Sequence, residues 1–365
     1  MRCHLVYSVP SQRSIIAKLL RRIKQFLQGK GFPLSLIGSR NKVQTQSWPT
    51  STPYSITKNL YTHLSQKMET LLYHLTEPIQ IHFKSNDIFI GTPFFPYKPG
   101  GNGVTELSIS QTRRPKIFAL IAPLHCNIII ETSHINKPYL DSINDLIPKA
   151  DLLFAIMGRY WWDQWEESPY AHWLPKMVRL DLAVDTQDFP RVKTKFNPPG
   201  KRRFLFIGRN DPMKGIDFLT KLISESGNFS GGWIGGGPDI PGIPKVSPPR
   251  DLIPEFMQRI AERFDFFITT GVADPNPTTI LESMSWGFPV ICTPQSGYYE
   301  TTYLRNVYHD NIPRSLEVLE ELQYAKEEDL MAMANESRTV VETEYTWDKF
   351  NSTIISSLGL QEKYR

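Results

Sequence analysis

FDFFITTGVADPNPTTILESMSWGFPVICT, residues 264–293, holds a strand, a Pro-rich loop, a short helix and a second strand with no residues to spare. FDFFIT and FPVICT are short apolar runs of the kind that a parallel strand covered on both faces requires. Between them GVADPNPTT is rich in turn formers, and ILESMSW reads as two helical turns stopped by Gly287. This is one βαβ step. Its loop leaves the carboxyl end of a strand and enters a helix N-terminus, the place where open α/β sheets bind anionic ligands. Asp274 lies in that loop and Glu282 about one turn into the helix, so both carboxylates can face one cleft. Thr278 and Thr279 add hydroxyls and N–H groups at the helix start. The inventory suits a phosphate and a polyol. It suits equally a Pro-rich loop with Thr as N-cap and Glu282 as an acid that complements the helix dipole.

The alternation continues on both sides. Ahead of the step come RFLFIG, a helix over 215–224, GGWIGGGPD and a helix over 254–263. Further upstream, CHLVYSV (3–9) reads as a first strand, 14–28 as a helix and PLSLIG (33–38) as a strand. The stretch 41–57, rich in Ser, Thr, Gln and Pro, reads as loop, and 58–75 as a helix. IHFK and DIFIGT (87–92) are strand-like, and FFPYKPGGNG (94–103) is a loop whose aromatics could shape a binding lip. KIFALIAP (116–123) and DLLFAIM (151–157) are buried strands, the second followed by a helix with Tyr160, Trp161, Trp162 and Trp165. Clustered tryptophans can stack on a sugar, but core packing is their commoner use. MVRLDLAVD (177–185) closes the first half, and RVKTKFNPPGKRR (191–203) reads as the linker. Strands alternating with helices predict an α/β protein with a parallel, helix-covered sheet in each half. The expected domains are 1–195 and 196–345, with 346–365 as a terminal helix.

The composition supports this. At 365 residues the chain exceeds one ordinary core, and 40% hydrophobic with 21% charged residues is globular. A net charge of +4 does not call for nucleic acid. Cys3, Cys126 and Cys292 form no CxxC pair and sit in or beside apolar runs, which fits buried free thiols of a reducing, cytoplasmic setting. The N-terminal residues lack the apolar core of a signal peptide, and 117–130 is too short and interrupted to span a bilayer. Helix 13–30 carries Arg13, Lys18, Arg21, Arg22, Lys24 and Lys30 on its polar face without an acid. Such a face can lie on anionic headgroups or be simply solvated.

GRNDPMKG (208–215) places Arg209 and Lys214 either side of an Asn-Asp-Pro turn ahead of a helix, a pairing that suits a diphosphate. WIGGGPD (233–239) brings Gly236 and its neighbours after a strand, and QSGYYE (295–300) brings Ser296 and Gly297 as N–H donors to the same mouth. Four loops in this order, each at a strand's carboxyl end, are more specific than any one alone.

Residues 204–300 resemble the nucleotide-sugar half of a GT-B glycosyltransferase, most closely the retaining glycosyltransferase family 4 group. The family's strand-G-R-x(4)-K-G, G-G-G-P turn and E-x(7)-E before M-x-x-G-x-P-V stand here as GRNDPMKG, IGGGPD and Asp274-x(7)-Glu282 with SMSWGFPV. The resemblance implies two Rossmann-like domains facing across a cleft. It further implies that Arg209 and Lys214, with Thr278 and Thr279, bind the donor diphosphate, Glu282 the ribose and Asp274 the donor sugar. Gly208, Gly236 and Gly297 would shape the donor loops. His125, after KIFALIAPL, is the positional match to a family histidine near the reacting sugar, with His134 second. Asp274 replaces the family's Glu, Asn276-Pro277 its Phe-Gly, and SVPSQRS its Gly-rich first turn. The activity implied is transfer of a sugar from a UDP-, GDP- or ADP-linked donor to a glycan, lipid or protein hydroxyl. No cofactor or metal is expected, since no Asp-x-Asp pair ends a strand. A silent glycosyltransferase-like binding subunit and a GT-B sugar-nucleotide epimerase are the alternatives.

Overall fold

The computed structural model describes residues 1–7, 52–74, 81–93, 114–127, 136–227 and 229–360. The basic helix expected at 13–30, the strand at 33–38, the turn SVPSQRS after Tyr7, the aromatic loop 94–103 and His134 lie outside these residues. Two six-stranded sheets form the frame. The first holds β1 (Arg2–Tyr7), β2 (Glu69–His74), β3 (Ile88–Gly91), β4 (Ile117–Pro123), β5 (Leu152–Ile156) and β6 (Met177–Leu180), in the order β2-β1-β3-β4-β5-β6. The second holds β7 (Arg203–Ile207), β8 (Ser230–Ile234), β9 (Lys245–Ser247), β10 (Phe266–Thr269), β11 (Val290–Cys292) and β12 (Leu304–Asn306), in the order β12-β11-β10-β7-β8-β9. Pairing is parallel between β1 and both neighbours, between β5 and β6, and throughout the second sheet.

By packing the chain separates into Met1–Ala119 and Leu120–Arg365. Strand β4 straddles that division, so the second unit contains β5 and β6 as well as the whole second sheet. In the first unit α1 (Thr52–Lys67) packs on β1 and β2. Fully buried Asp87 accepts from the Arg2 guanidinium at 2.7 Å and lies 3.1 Å from His4 Nε2. The helix expected at 58–75 is corrected here. It starts at Thr52, inside the stretch read as loop, and ends at Lys67, and Glu69–His74 pair as a strand with β1. The apolar residues of ETLLYH satisfy a strand as well as a helix, and only the pairing partner decides between them. IHFK (81–84) is irregular rather than a strand.

In the second unit the helices are α2 (Asn136–Leu146), α3 (Arg159–Gln164), α4 (Ile216–Glu225), α5 (Pro254–Ala261), α6 (Thr278–Trp286), α7 (Ile312–Tyr324), α8 (Glu327–Glu344) and α9 (Trp347–Ser357). Phe204, Phe206, Phe266, Ile268 and Ile291 from β7, β10 and β11 form the core of the second sheet with α4 and α7. Both faces of these strands are covered, which explains their unbroken apolar runs. Trp161 and Trp165 of the aromatic cluster are buried, as is Trp173, and Trp162 is half-buried. Helix α9 packs on β6.

The basic segment 191–203, read as the linker, is anchored by buried bonds. Lys193 is buried and donates to Asp265 at 2.9 Å and to the Ala261 carbonyl at 2.8 Å. Asp265 also accepts from the backbone of Asn197 and Arg203 and from the Asn197 amide. The one acid within FDFFIT thus fastens the connection between the two sheets, since a carboxylate with four donors tolerates full burial.

Candidate functional site

The second sheet reverses direction of growth between β7 and β10. From β7 the chain adds β8 and β9 on one side, then β10, β11 and β12 on the other. Adjacent β7 and β10 therefore flank a topological switch point, and ligands of open α/β sheets bind outside the carboxyl ends there. The loops leaving those two strands are GRNDPMKG and TGVADPNP.

They are tied together. Val272 N donates to the Met213 carbonyl at 3.0 Å, and the Thr270 hydroxyl donates to the carbonyls of Lys214 and Gly215 at 3.0 Å each. Their side chains meet as well: Lys214 Nζ bonds the Asp274 carboxylate, the two being 22% and 16% exposed. In the first loop Asp211 caps a single turn by accepting from Met213 N at 2.9 Å. Arg209 stands outside this pair, 77% exposed and 3.2 Å from Asp211. Of the two cations expected on a diphosphate, the structure brings Lys214 to Asp274 and leaves Arg209 at the solvent.

Gly208 follows β7, donating to the Ile234 carbonyl at 3.0 Å and accepting from the Trp233 indole at 2.8 Å. Gly236 accepts from Asn210 N at 2.8 Å. Its neighbour Gly235 is the more constrained, since a Cβ there would stand 1.7 Å from the Gly208 carbonyl oxygen.

Helix α6 begins at Thr278 after Pro277, which supplies no side-chain cap. The expectation of Thr as N-cap is thereby corrected. Pro277 holds the extended N-cap conformation, and Thr278 turns its hydroxyl to Glu282 one turn on. The first-turn N–H groups, among them those of Thr278 and Thr279, are presented at the helix start. Glu282 is half-buried. Burial pushes its carboxyl up to about 7, opposed by the Thr278 hydroxyl. Asn276, expected only as a departure, is buried and accepts from Leu182 N at 2.8 Å through its side chain.

The third loop follows β11. Thr293 donates to the Gly271 carbonyl at 2.5 Å, and Asp274 N donates to the Gln295 carbonyl at 3.2 Å. The N–H groups of Ser296 and Gly297, expected to face a ligand, instead bond the Thr293 and Pro294 carbonyls of their own turn. Gly297, with φ +95°, closes that turn.

The first sheet reaches the same loops through β4 and β5. His125 is buried beside Trp161, with ring centroids 5.5 Å apart. Burial pulls its imidazole down to about 4, while the nearby Asp274 carboxylate works the other way. His125 is thus neutral at pH 7, and its Nδ1 is buried without a hydrogen-bond partner. At the end of β5, Gly158 N donates to the Pro275 carbonyl at 2.7 Å, and the Trp161 indole donates to the Gln295 and Asp274 carbonyls at 3.0 and 3.3 Å. Sequence reasoning missed Gly158 and read Trp161 with its neighbours as core or a sugar-stacking cluster, core being favoured. The available signal was a glycine between a buried strand and an aromatic helix. Among the described residues no group of three His, Cys, Asp or Glu side chains could hold a metal ion, and no helix is long and apolar enough to cross a membrane.

No family model matches the sequence, and no curated protein matches it. Solved structures do. TarM superposes with a TM-score of 0.56 at 12% identity over 76% of this chain, which spans 55% of TarM's own length. A trehalose-6-phosphate synthase gives 0.57 at 10% identity over 99% of this chain and 100% of its own. The Burkholderia multivorans trehalose-6-phosphate synthase gives 0.53 at 10% identity over 76% and 72%. At such identities the likeness concerns the fold: this chain has the GT-B fold of glycosyltransferases.

Proposed function

We propose that this protein is a retaining glycosyltransferase that moves a sugar from a nucleotide-diphosphate donor to an acceptor hydroxyl without a metal. The bond from the anomeric carbon to the diphosphate oxygen breaks, one to the acceptor oxygen forms, and the acceptor's proton leaves with the diphosphate or to water. The observation that carries this reading is the Lys214–Asp274 pair, a cation and an acid donated by the two strands that flank the switch point. A cation there can meet a diphosphate, and the acid beside it can accept from sugar hydroxyls. Arg209 and the start of α6 at Thr278 and Thr279 would share the phosphate charge. Glu282 would accept from the ribose, and neutral His125 would stand at the reacting sugar as a hydrogen-bonding group. The neighbouring folds give support: a TarM variant from S. aureus was solved with UDP, and an E. coli structure was solved with UDP-2-fluoro glucose. Three free thiols support a reducing, cytoplasmic setting.

The test is a thermal-shift screen of UDP, GDP, ADP and their common sugar conjugates with EDTA present. One nucleotide should raise the melting temperature by mass action, and Lys214→Ala should weaken that nucleotide about 10- to 100-fold, the cost of a charge-assisted bond. No stabilisation by any nucleotide would remove the reading.

A further inference from the structure

We propose that Trp161 is a positioning residue for sugar transfer, holding the Asp274 loop and the His125 ring in one frame. The inference rests on the glycosyl-transfer reading above. Trp161 lies in the first turn of α3 and is buried. A buried indole N–H must find an acceptor, and most find whichever carbonyl is nearest. Here the two acceptors are the main-chain oxygens of Gln295 at 3.0 Å and Asp274 at 3.3 Å, one in each of the loops after β11 and β10. Asp274 N donates to the same Gln295 carbonyl at 3.2 Å, so the indole closes a small ring of hydrogen bonds around the Asp274 main chain. The ring system also faces His125, at the end of β4. One side chain therefore touches the carboxyl ends of three strands from two sheets.

The start of α3 is pressed onto the same loops by two backbone bonds, Gly158 N to the Pro275 carbonyl and Tyr160 N to the Gly297 carbonyl at 3.3 Å. Asp274 is thus gripped twice. Lys214 holds its carboxylate, and Trp161 holds its main chain. The grip on the carboxylate is an ion pair that an anion engaging Lys214 would rearrange, whereas the grip on the main chain comes from a buried, uncharged indole that such an anion leaves in place. Within TGVADPNP the Asn276 side chain is turned to Leu182, accepting from its N through Oδ1, while its Nδ2 is buried without a partner. Displacing a reacting group by an ångström can cost about a hundredfold in rate even when the displaced contact is remote.

Trp161→Phe keeps an aromatic ring and removes only the N–H. The assay is turnover of UDP-glucose, UDP-N-acetylglucosamine, GDP-mannose and ADP-glucose, with UDP, GDP and ADP binding measured alongside. The expected result is a kcat reduced about tenfold to a hundredfold, as for a misplaced reacting group. Nucleotide Kd and donor KM should stay within about threefold, because the ring and its packing remain. Unchanged kcat overturns the inference. So does parallel loss of nucleotide binding and turnover with a lowered melting temperature, which is the signature of packing alone. If Trp161→Phe is too unstable to assay, Trp161→His, which retains a ring N–H, must exceed Trp161→Leu in turnover; equal rates overturn the inference. Turnover by the unaltered protein that Trp161→Phe leaves intact removes this inference only. Absence of both nucleotide binding and turnover in the unaltered protein removes the reading beneath it as well.

Discussion

The loops after β7 and β10 and those after β4 and β5 all leave the carboxyl ends of buried strands, yet they are held in different ways. The first pair is joined by the bonds of Val272 N and the Thr270 hydroxyl to the Met213, Lys214 and Gly215 carbonyls and also by charge, through Lys214 and Asp274, in a partly exposed position that a ligand can remodel. The second pair is joined to them by main-chain bonds and close packing, through Gly158, Trp161 and the ring of His125. The difference teaches a division of labour. The charged groups that must respond to a ligand meet through a partly exposed ion pair, and the frame that aims them is built from backbone, an indole and a buried imidazole that is neutral at pH 7.

The frame can be broken at one atom. A Cβ on Gly158 would lie 2.0 Å from the Gly297 carbonyl oxygen, and neither backbone is at the end of a flexible side chain. Gly158→Ala is expected to cost about 1–3 kcal/mol of stability, the range for forced overpacking. Gly227→Ala is the control: φ there is +64° but nothing lies within 4 Å, so only the left-handed strain of about 1 kcal/mol applies. Denaturant melts of the two variants should rank in that order. Equal losses would mean that α3 rides loosely on the loops, and the contrast between the two regions would disappear.

The same contrast governs what could be read beforehand. Strands β4, β5, β7, β10 and β11 were legible because burial on both faces leaves a continuous apolar run, and α6 because Gly287 stops it. The charged loop residues were legible because Arg, Lys, Asp and Glu at strand ends are chemically conspicuous. Glu69–His74 was misread because its partner β1 lies more than sixty residues away in the chain, and a strand is defined by its partner. Asp265 in a run of phenylalanines gave no hint that four donors from the connecting segment would converge on it. Gly158 and Trp161 offered only a faint signature, a glycine between a buried strand and an aromatic helix, since their importance is a distance to loops more than a hundred residues on.

Glu282 sharpens the comparison by pH. Its folded carboxyl is raised from 4.5 to about 7, first by burial, so the native state holds a proton that the unfolded chain releases. For a raised group the favourable contribution is complete below about 4.5 and is lost as pH climbs through about 7. Glu282→Gln cannot titrate. Without nucleotide, its melting temperature relative to the unaltered protein should therefore rise between pH 5 and pH 8. The gap should correspond to on the order of 1–2 kcal/mol once partial exposure is discounted. His125 runs the other way: its depressed pKa of about 4 means that stability falls as pH drops below 6.5. A gap for Glu282→Gln that does not change with pH would show that its carboxylate is solvated and already ionised.

The smallest expected effect discriminates most finely between a group that binds and a group that aims. In the unliganded protein the Asp274 carboxylate neutralises Lys214, and a diphosphate that engages the lysine must compete with it. Asp274→Asn keeps the shape of the side chain and the main-chain bonds to Trp161 and Gln295, and it removes only the charge. The pair is partly exposed, so the Coulomb term released is modest, about 0.5–1 kcal/mol. Nucleoside diphosphate affinity should therefore rise about 2- to 5-fold in Asp274→Asn, while turnover of the sugar conjugate falls, because an amide is a weaker acceptor for sugar hydroxyls than a carboxylate. Tighter binding with slower turnover is the outcome expected of an acid that restrains the cation until a sugar arrives. If affinity falls instead, the lysine needs the acid to hold it in place, and Asp274 belongs with Trp161 as part of the frame rather than with the groups the frame aims.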